Sequence, residues 1–332
     1  MKKNNNSNTF PNIRLRRLRT TPALRELLQE TRLSAKDLIA PIFVQEGLKK
    51  PEKIDSMPDI QRFPLSRLAG EIDRIVDLDI RAVILFGLPS HKDSGATSAF
   101  DDRGIVQKSI EVVRRKFGSK VVIITDVCLC QYTTHGHCGL IVGKKIDNDK
   151  SINTLAKVAI SHAKAGADIV APSAMMDGQV QAIRKGLDTE GHTDVSIMSY
   201  SAKQASPLYA PFRDAAHSAP ELGDRLTYQM PFSNAKEAMR EIETDIAEGV
   251  DIVMIKPAIP YLDLIYKTRQ ATNLPICAYS VSGEYALIRA AAMNGWIDEN
   301  AVMTEFLTSI KRSGADMIIT YHAKKMAELL NR

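Results

Sequence analysis

Short, almost continuously apolar runs recur along this chain, each rich in β-branched residues and each followed by enough amphipathic sequence for a helix. They fall at 39–44, 82–86, 121–125, 169–171, 195–198, 252–255, 275–279 and 317–320. A strand with no polar face must be covered on both sides, which is the condition of a strand in a parallel sheet. Between the runs, 65–77, 105–116, 154–164, 179–185, 235–248, 261–272, 283–294 and 300–312 carry apolar residues at helical spacing. Two helix-to-strand turns share a pattern, Ala165-Gly166-Ala167-Asp168-Ile169 and Ser313-Gly314-Ala315-Asp316-Met317, and Glu248-Gly249-Val250-Asp251-Ile252 is close to both. In each, glycine can end the helix in the left-handed conformation just before the strand starts. Eight such units predict an α/β fold, a (β/α)8 TIM barrel. An open doubly wound sheet is the alternative, but no Gly-rich phosphate fingerprint follows the first run.

Two connectors are longer than a βα loop needs. Residues 87–104 and the proline-rich 203–232 are turn-forming, and long loops on the carboxyl rim of a barrel are where lids sit. Ahead of the first strand, residues 1–38 read as an arm. Its polar, Asn-rich tip is expected to be disordered, and a short helix is expected at 22–31, with Thr20 or Thr21 as cap before Pro22. The predicted organisation is therefore an arm (1–38) and a catalytic barrel (39–332) with a lid around 203–232.

Composition narrows the setting. With 332 residues, 44% hydrophobic and 25% charged, the chain can bury a large core. It has no apolar run near the roughly 18 residues that cross a bilayer and no apolar signal segment, so a cytoplasmic protein without a membrane partner is expected. The first 36 residues hold nine Lys/Arg against Glu26 and Glu30 within a net charge of +5, so the rest is close to neutral. No aromatic interleaving or nucleic-acid module accompanies the basic arm, which argues for docking on another subunit rather than on nucleic acid. Four cysteines could form two disulfides, but three fall within eleven residues, which favours metal or redox chemistry.

The candidate chemistry lies where strands end. Lys256 closes the run Ile252-Val253-Met254-Ile255, and a lysine there must reach water, pair with a carboxylate or give up its proton. Lys203 sits just past the preceding run. If the two strands are parallel neighbours, both amines open on one rim, where repulsion and desolvation lower at least one pKa. Snorkelling of both into solvent is the alternative. After the third run, Cys128, Cys130 and Cys138 are spaced so that an extended chain through Cys130 would put the first two thiols on one side and a glycine-containing loop would return the third. Three thiolates with an open position suit a zinc ion that meets water or substrate. Closure by His135 or His137, or three thiols without metal, are the alternatives. In the lid segment, Arg213 and Arg225, with Gln229 one turn on, could bind a carboxylate, or could pair locally with Asp214 and Asp224. Ser282 and Tyr321, after runs seven and eight, could bind a second carboxylate or simply cap a helix and bond the rim.

Met198-Ser199-Tyr200-Ser201-Ala202-Lys203, the stretch from Tyr209 to Ala215, Met254-Ile255-Lys256-Pro257 with Tyr261-Leu262-Asp263, and Ala174-Met175-Met176-Asp177-Gly178 resemble the delta-aminolevulinic acid dehydratase (porphobilinogen synthase) family. The resemblance runs from about residue 10 to the end. It implies a barrel whose arm wraps a neighbouring subunit, usually in a homo-octamer, and the asymmetric condensation of two 5-aminolevulinate molecules to porphobilinogen. By motif, Lys256 would form a Schiff base with one substrate, whose carboxylate lies on Ser282 and Tyr321. Lys203 would engage the second, whose carboxylate is held by Arg213, Arg225 and Gln229. Zn2+ on Cys128, Cys130 and Cys138 would assist, and Asp126 and Ser173 would line the pocket. Some relatives carry acidic residues in place of the cysteines; this chain keeps all three. Glu241 aligns with a carboxylate that binds a regulatory Mg2+ in some members, although a glutamate on a helix can equally be a solvated surface residue.

Overall fold

All eight apolar runs are strands: β1 (Leu38–Gln45), β2 (Ala82–Leu88), β3 (Val122–Val127), β4 (Ile169–Pro172), β5 (Ser196–Lys203), β6 (Ile252–Lys256), β7 (Ile276–Ser280) and β8 (Met317–Thr320). They are seen in a computed structural model that describes residues 13–221 and 223–331. Each strand pairs in parallel with the next, and β8 pairs with β1 through Leu38↔Ile318 and Ile39↔Ile319, which closes the barrel. Helices α1 (Leu65–Asp77), α2 (Ile105–Phe117), α3 (Asn148–Ala165), α4 (Gln179–Thr189), α5 (Ala235–Ala247) and α6 (Leu262–Ala271) each link one strand to the next. Two helices, α7 (Ser282–Met293) and α8 (Glu299–Arg312), fill the last connection, and α9 (Ala323–Leu330) follows β8.

The predicted left-handed glycines occur at all three turns, with φ of 106° at Gly166, 95° at Gly249 and 117° at Gly314. In each case the aspartate two residues on bonds the sheet. Asp168 and Asp251 accept the backbone N–H of Ile123 and Ile197, and Asp316 accepts that of Ile276. The repeated turn thus joins each helix end to the strand beside its own.

Strand alternation separates two cores. Ile39, Phe43, Ile84, Phe86, Met198, Met254 and Tyr279 fill the barrel interior. Ala40, Ile42, Val83, Leu85, Val253 and Ile255 pack outward with helix residues such as Ile72, Ile110 and Ile242. The side-chain period of a strand is two residues, so one inserted residue reverses inside and outside. Such an insertion lies in β5. Ile252 pairs with Met198, but Lys256 pairs with Lys203, and the register shifts between Val253 and Ile255. Beyond Tyr200 the parity reverses, so Ala202 joins the outer core and Lys203 falls level with Lys256.

The chain divides into two compact units, residues 1–32 and 33–332. In the first, Leu15–Arg19 is a 3-10 turn and Pro22–Leu27 an α-helix whose N-cap Thr21 accepts from the Leu24 N–H. The expected helix to residue 31 stops four residues short. The Arg32 guanidinium takes the Glu26 carbonyl, and the Gln29 amide turns to the Thr31 carbonyl. The tip expected to be disordered lies outside the described residues.

Candidate active site

Lys203 and Lys256 are both about 95% buried, at 5% and 6% exposure, so neither snorkels. Strand β5 runs on through Lys203, which is its last residue rather than a residue beyond it. The Lys256 Nζ lies 4.3 Å from the ring centre of Tyr279, 5.0 Å from Tyr200, 5.1 Å from Tyr209 and 5.2 Å from Phe212. These rings remove water from the amine. Burial, and after it the charge of Lys203, pulls Lys256 down from 10.5 to about 7. Ring faces attract a cation and oppose that shift. Lys203 Nζ instead donates to the Ser173 carbonyl and lies 5.5 Å from the Tyr200 ring centre. One amine is thus anchored, and the other holds its proton weakly.

Asp126, in β3, is buried behind this pair and accepts from the Gln131 amide at 3.2 Å. Burial raises its carboxyl, and Lys203 and the Ser173 hydroxyl oppose the rise. The extended chain expected through Cys130 does not occur. Strand β3 ends at Val127, and the chain turns so that the N–H groups of Tyr132 and Thr133 bond the Leu129 carbonyl. The turn itself gathers the thiols. The Sγ atoms of Cys128 and Cys130 are 3.4 Å apart, and all three cysteine sulfurs lie within 4.8 Å of one another. Hydrogen bonds from its two neighbours hold the Cys138 thiol well below its usual range, with Arg225 and Lys203 adding to the effect. A buried cluster of soft donors beside fixed cations can hold a metal ion. Among the described residues, it is the one group of three metal-binding side chains gathered this closely. Near it, His137 Nδ1 lies 3.0 Å from the Tyr228 hydroxyl.

The lid supplies the arginines. Its short helix Ala210–Ala215 carries Arg213, and Arg225 is 6% exposed. The local pairing that could have occupied them does not form. Asp214 accepts from the Ser56 hydroxyl at 2.6 Å, and Asp224 accepts from the Leu226 N–H. Arg225 donates to the carbonyls of Gly136 at 2.9 Å and Ser218 at 2.5 Å. Burial lowers Arg225, but Cys138 and Cys130 outweigh it and hold the guanidinium above its ordinary value. The Nε atoms of both arginines and the amide nitrogen of Gln229 are buried without a protein partner, a set of donors suited to a carboxylate.

Ser282 is already engaged by the lid. It accepts the Phe212 N–H at 3.0 Å and donates to the Leu208 carbonyl at 3.2 Å. Tyr321 Oη lies 2.9 Å from Tyr279 Oη, and the Tyr279 ring faces Lys256. Ser282 therefore meets the lid and Tyr321 meets the lysine box.

The same lysines, thiols and arginines lie within a stretch shared with known proteins. The family model for delta-aminolevulinic acid dehydratase matches residues 12–329. The chain belongs to that family. It is 54% identical over 321 residues to the delta-aminolevulinic acid dehydratase of Archaeoglobus fulgidus, covering 97% of this chain and 99% of that one. The Bacillus subtilis enzyme is 51% identical over 317 residues, covering 96% and 98%. Among solved structures, delta-aminolevulinic acid dehydratase of Toxoplasma gondii in complex with porphobilinogen superposes with a TM-score of 0.94 at 42% identity, covering 96% of this chain and 92% of that one. The present chain is accordingly a lyase, a delta-aminolevulinic acid dehydratase on a (β/α)8 barrel.

Two features of this dehydratase do not emerge from its motifs. The rings around Lys256 come from β5, β7 and the lid, and only the inserted residue of β5 explains why Lys203 shares their face. The carboxylate of Glu284 is buried, although its motif reads as an ordinary helix start. A cavity of about 1250 Å³ is lined by Glu237, Glu241, Asp245 and Glu248 on or beside α5 and reaches Gln229, but neither rim lysine lines it. Glu241 is half-buried there, and burial followed by Asp245 raises its carboxyl. No helix among the described residues is long and apolar enough to cross a membrane.

Proposed function

We propose that this dehydratase condenses two molecules of 5-aminolevulinate to porphobilinogen with loss of two waters, a step of porphyrin and heme biosynthesis, through a Schiff base on Lys256. The observation that supports this reading is the register pairing of Lys203 with Lys256, an amine of lowered pKa beside an anchored one within a ring of aromatics. The neutral Lys256 adds to the ketone of the first substrate, and water leaves as the imine forms. Tyr321 and Ser282 take that substrate's carboxylate, Ser282 releasing the lid backbone as it does so. Arg213, Arg225 and Gln229 take the carboxylate of the second substrate, and Lys203 bonds its polar head while Asp126 and Ser173 line the floor.

Cys128, Cys130 and Cys138 would hold zinc, which supplies Lewis-acid polarisation of a substrate oxygen when bound. The soft donor set supports zinc over magnesium there. Glu241, in its acidic cavity, is proposed as the ligand of a regulatory magnesium. A cytoplasmic homo-octamer assembled through the arm is the setting the resemblance implies.

The test is pyrrole formation from 5-aminolevulinate, read with an Ehrlich-type reagent, with and without a zinc chelator. Product that disappears on chelation and returns with zinc is the expected result. Chelator-resistant product removes the metal from the reaction, and no product under any metal condition overturns the assignment. A lysine-dependent aldolase, the nearest other chemistry for a barrel amine, would consume substrate without forming a pyrrole.

A further inference from the structure

The first residues of α7 have partners in three other segments. Ser282 bonds the lid. Gly283 lies against it, since a Cβ built there would stand 2.5 Å from the Leu208 carbonyl oxygen and 2.6 Å from its Cα. Glu284 is 3% exposed and joins two strand-end loops. One of its carboxylate oxygens accepts the Ile259 N–H at 2.5 Å and the other accepts the Val281 N–H. The Ala258 N–H is a third donor to the same carboxyl.

A helix cap accounts for the bond to Val281, which precedes α7. It does not account for Ala258 and Ile259. Those two residues come directly after Lys256-Pro257 on a different βα loop, and the Ile259 N–H would lose this partner if Glu284 were absent. Burial raises the Glu284 carboxyl to about 7, and the backbone donors and the charge of Lys256 pull against that rise. The carboxylate and the lysine are therefore electrostatic neighbours as well as members of joined loops.

We propose that Glu284 is a positioning residue for Lys256: its buried carboxylate ties the loop leaving β6 to the loop leaving β7 and so fixes where the Lys256 amine meets the substrate ketone. The inference rests on Lys256 as the Schiff-base lysine. Glu284 touches no reacting atom. Its effect is on aim, and a displacement of about 1 Å at a reacting centre costs up to roughly 100-fold in rate.

The experiment uses the full chain loaded with zinc. In the wild type, borohydride added with 5-aminolevulinate should trap an adduct on Lys256; its absence overturns the Schiff-base reading itself and is distinguishable from a failure of the Glu284 variants alone. In Glu284→Gln, which keeps the size but turns an amide N–H toward a backbone N–H, the rate of adduct formation per folded chain should fall about 10- to 100-fold while KM changes by less than about threefold. An unchanged adduct rate, or a KM effect with kcat intact, overturns the proposal. Should the Gln variant fail to fold, Glu284→Asp retains the charge with a shorter reach. It should fold and still form the adduct slowly, and a wild-type rate from it overturns the proposal.

Discussion

Lys203 and Lys256 are register partners on neighbouring parallel strands only because β5 spends one more residue than β6 between the Met198↔Ile252 pair and the two lysines. Without that residue, strict alternation from Met198 and Tyr200 would send Lys203 outward among the helices. The insertion therefore sets the charge environment of Lys256, in which the charge of Lys203 favours the neutral form of its neighbour inside an aromatic enclosure.

That environment fixes a pH dependence. Only the neutral amine attacks a ketone, and Lys256 loses its proton at about 7 rather than at 10.5. The initial rate of borohydride-trapped adduct should accordingly rise through about pH 7 and level off above it. Lys203→Met removes the neighbouring cation that favours the neutral form, so the midpoint should move up. A wild-type midpoint near the unperturbed lysine value would contradict the burial argument.

The three thiols are gathered closely enough to act as one donor set. Replacing Cys130 with Ala leaves two, and zinc content measured by atomic absorption should fall well below the wild-type stoichiometry, with affinity weaker by at least about 10-fold. Pyrrole formation should fall in parallel. Full zinc content in Cys130→Ala would show that another group, such as His135 or His137, closes the set.

The barrel was legible from the sequence because a two-sided parallel strand leaves an unbroken apolar run, and the shared Gly-Ala-Asp turns mark the units. Lys256, Lys203 and the cysteines stood out because a cation or a thiol cluster at a strand end has no packing role. The inserted residue was not legible, since Ser199-Tyr200-Ser201-Ala202 reads as strand in either parity. For the same reason the turn after Val127 passed for continued strand. Glu284 was hidden because its partners are backbone N–H groups of other loops, which leave no pattern in residue types.

The lid's seat depends on the bare backbone at Gly283. In Gly283→Ala the new methyl would meet the Leu208 backbone, which cannot give way as a flexible side chain does. Overpacking of this kind costs about 1–3 kcal/mol. Here the lid can yield instead, so KM for 5-aminolevulinate should rise as Arg213 and Phe212 move with it. Steady-state kinetics check this, and an unchanged KM would place the lid's hold elsewhere.

A second hold is Arg62, which is buried and donates to the Ala215 carbonyl at 3.2 Å while pairing with Glu52 at 2.5 Å. Its Nη1 also lies 2.8 Å from His217 Nε2. Arg62→Ala leaves a lid carbonyl unpaired, a loss of about 1–3 kcal/mol. Chemical denaturation should register that loss, and limited proteolysis should cut within 203–232 faster than in the wild type. Equal cleavage rates would show that the lid stays seated without it.

The proposed mechanism turns on Lys256, and not Lys203, being the nucleophile. The two are told apart by peptide mapping with mass spectrometry after borohydride reduction in the presence of 5-aminolevulinate. A reduced substrate adduct on the peptide containing Lys256, with the Lys203 peptide unmodified, is the expected result. An adduct on Lys203 with Lys256 recovered intact would reverse the roles of the two amines and overturn the mechanism.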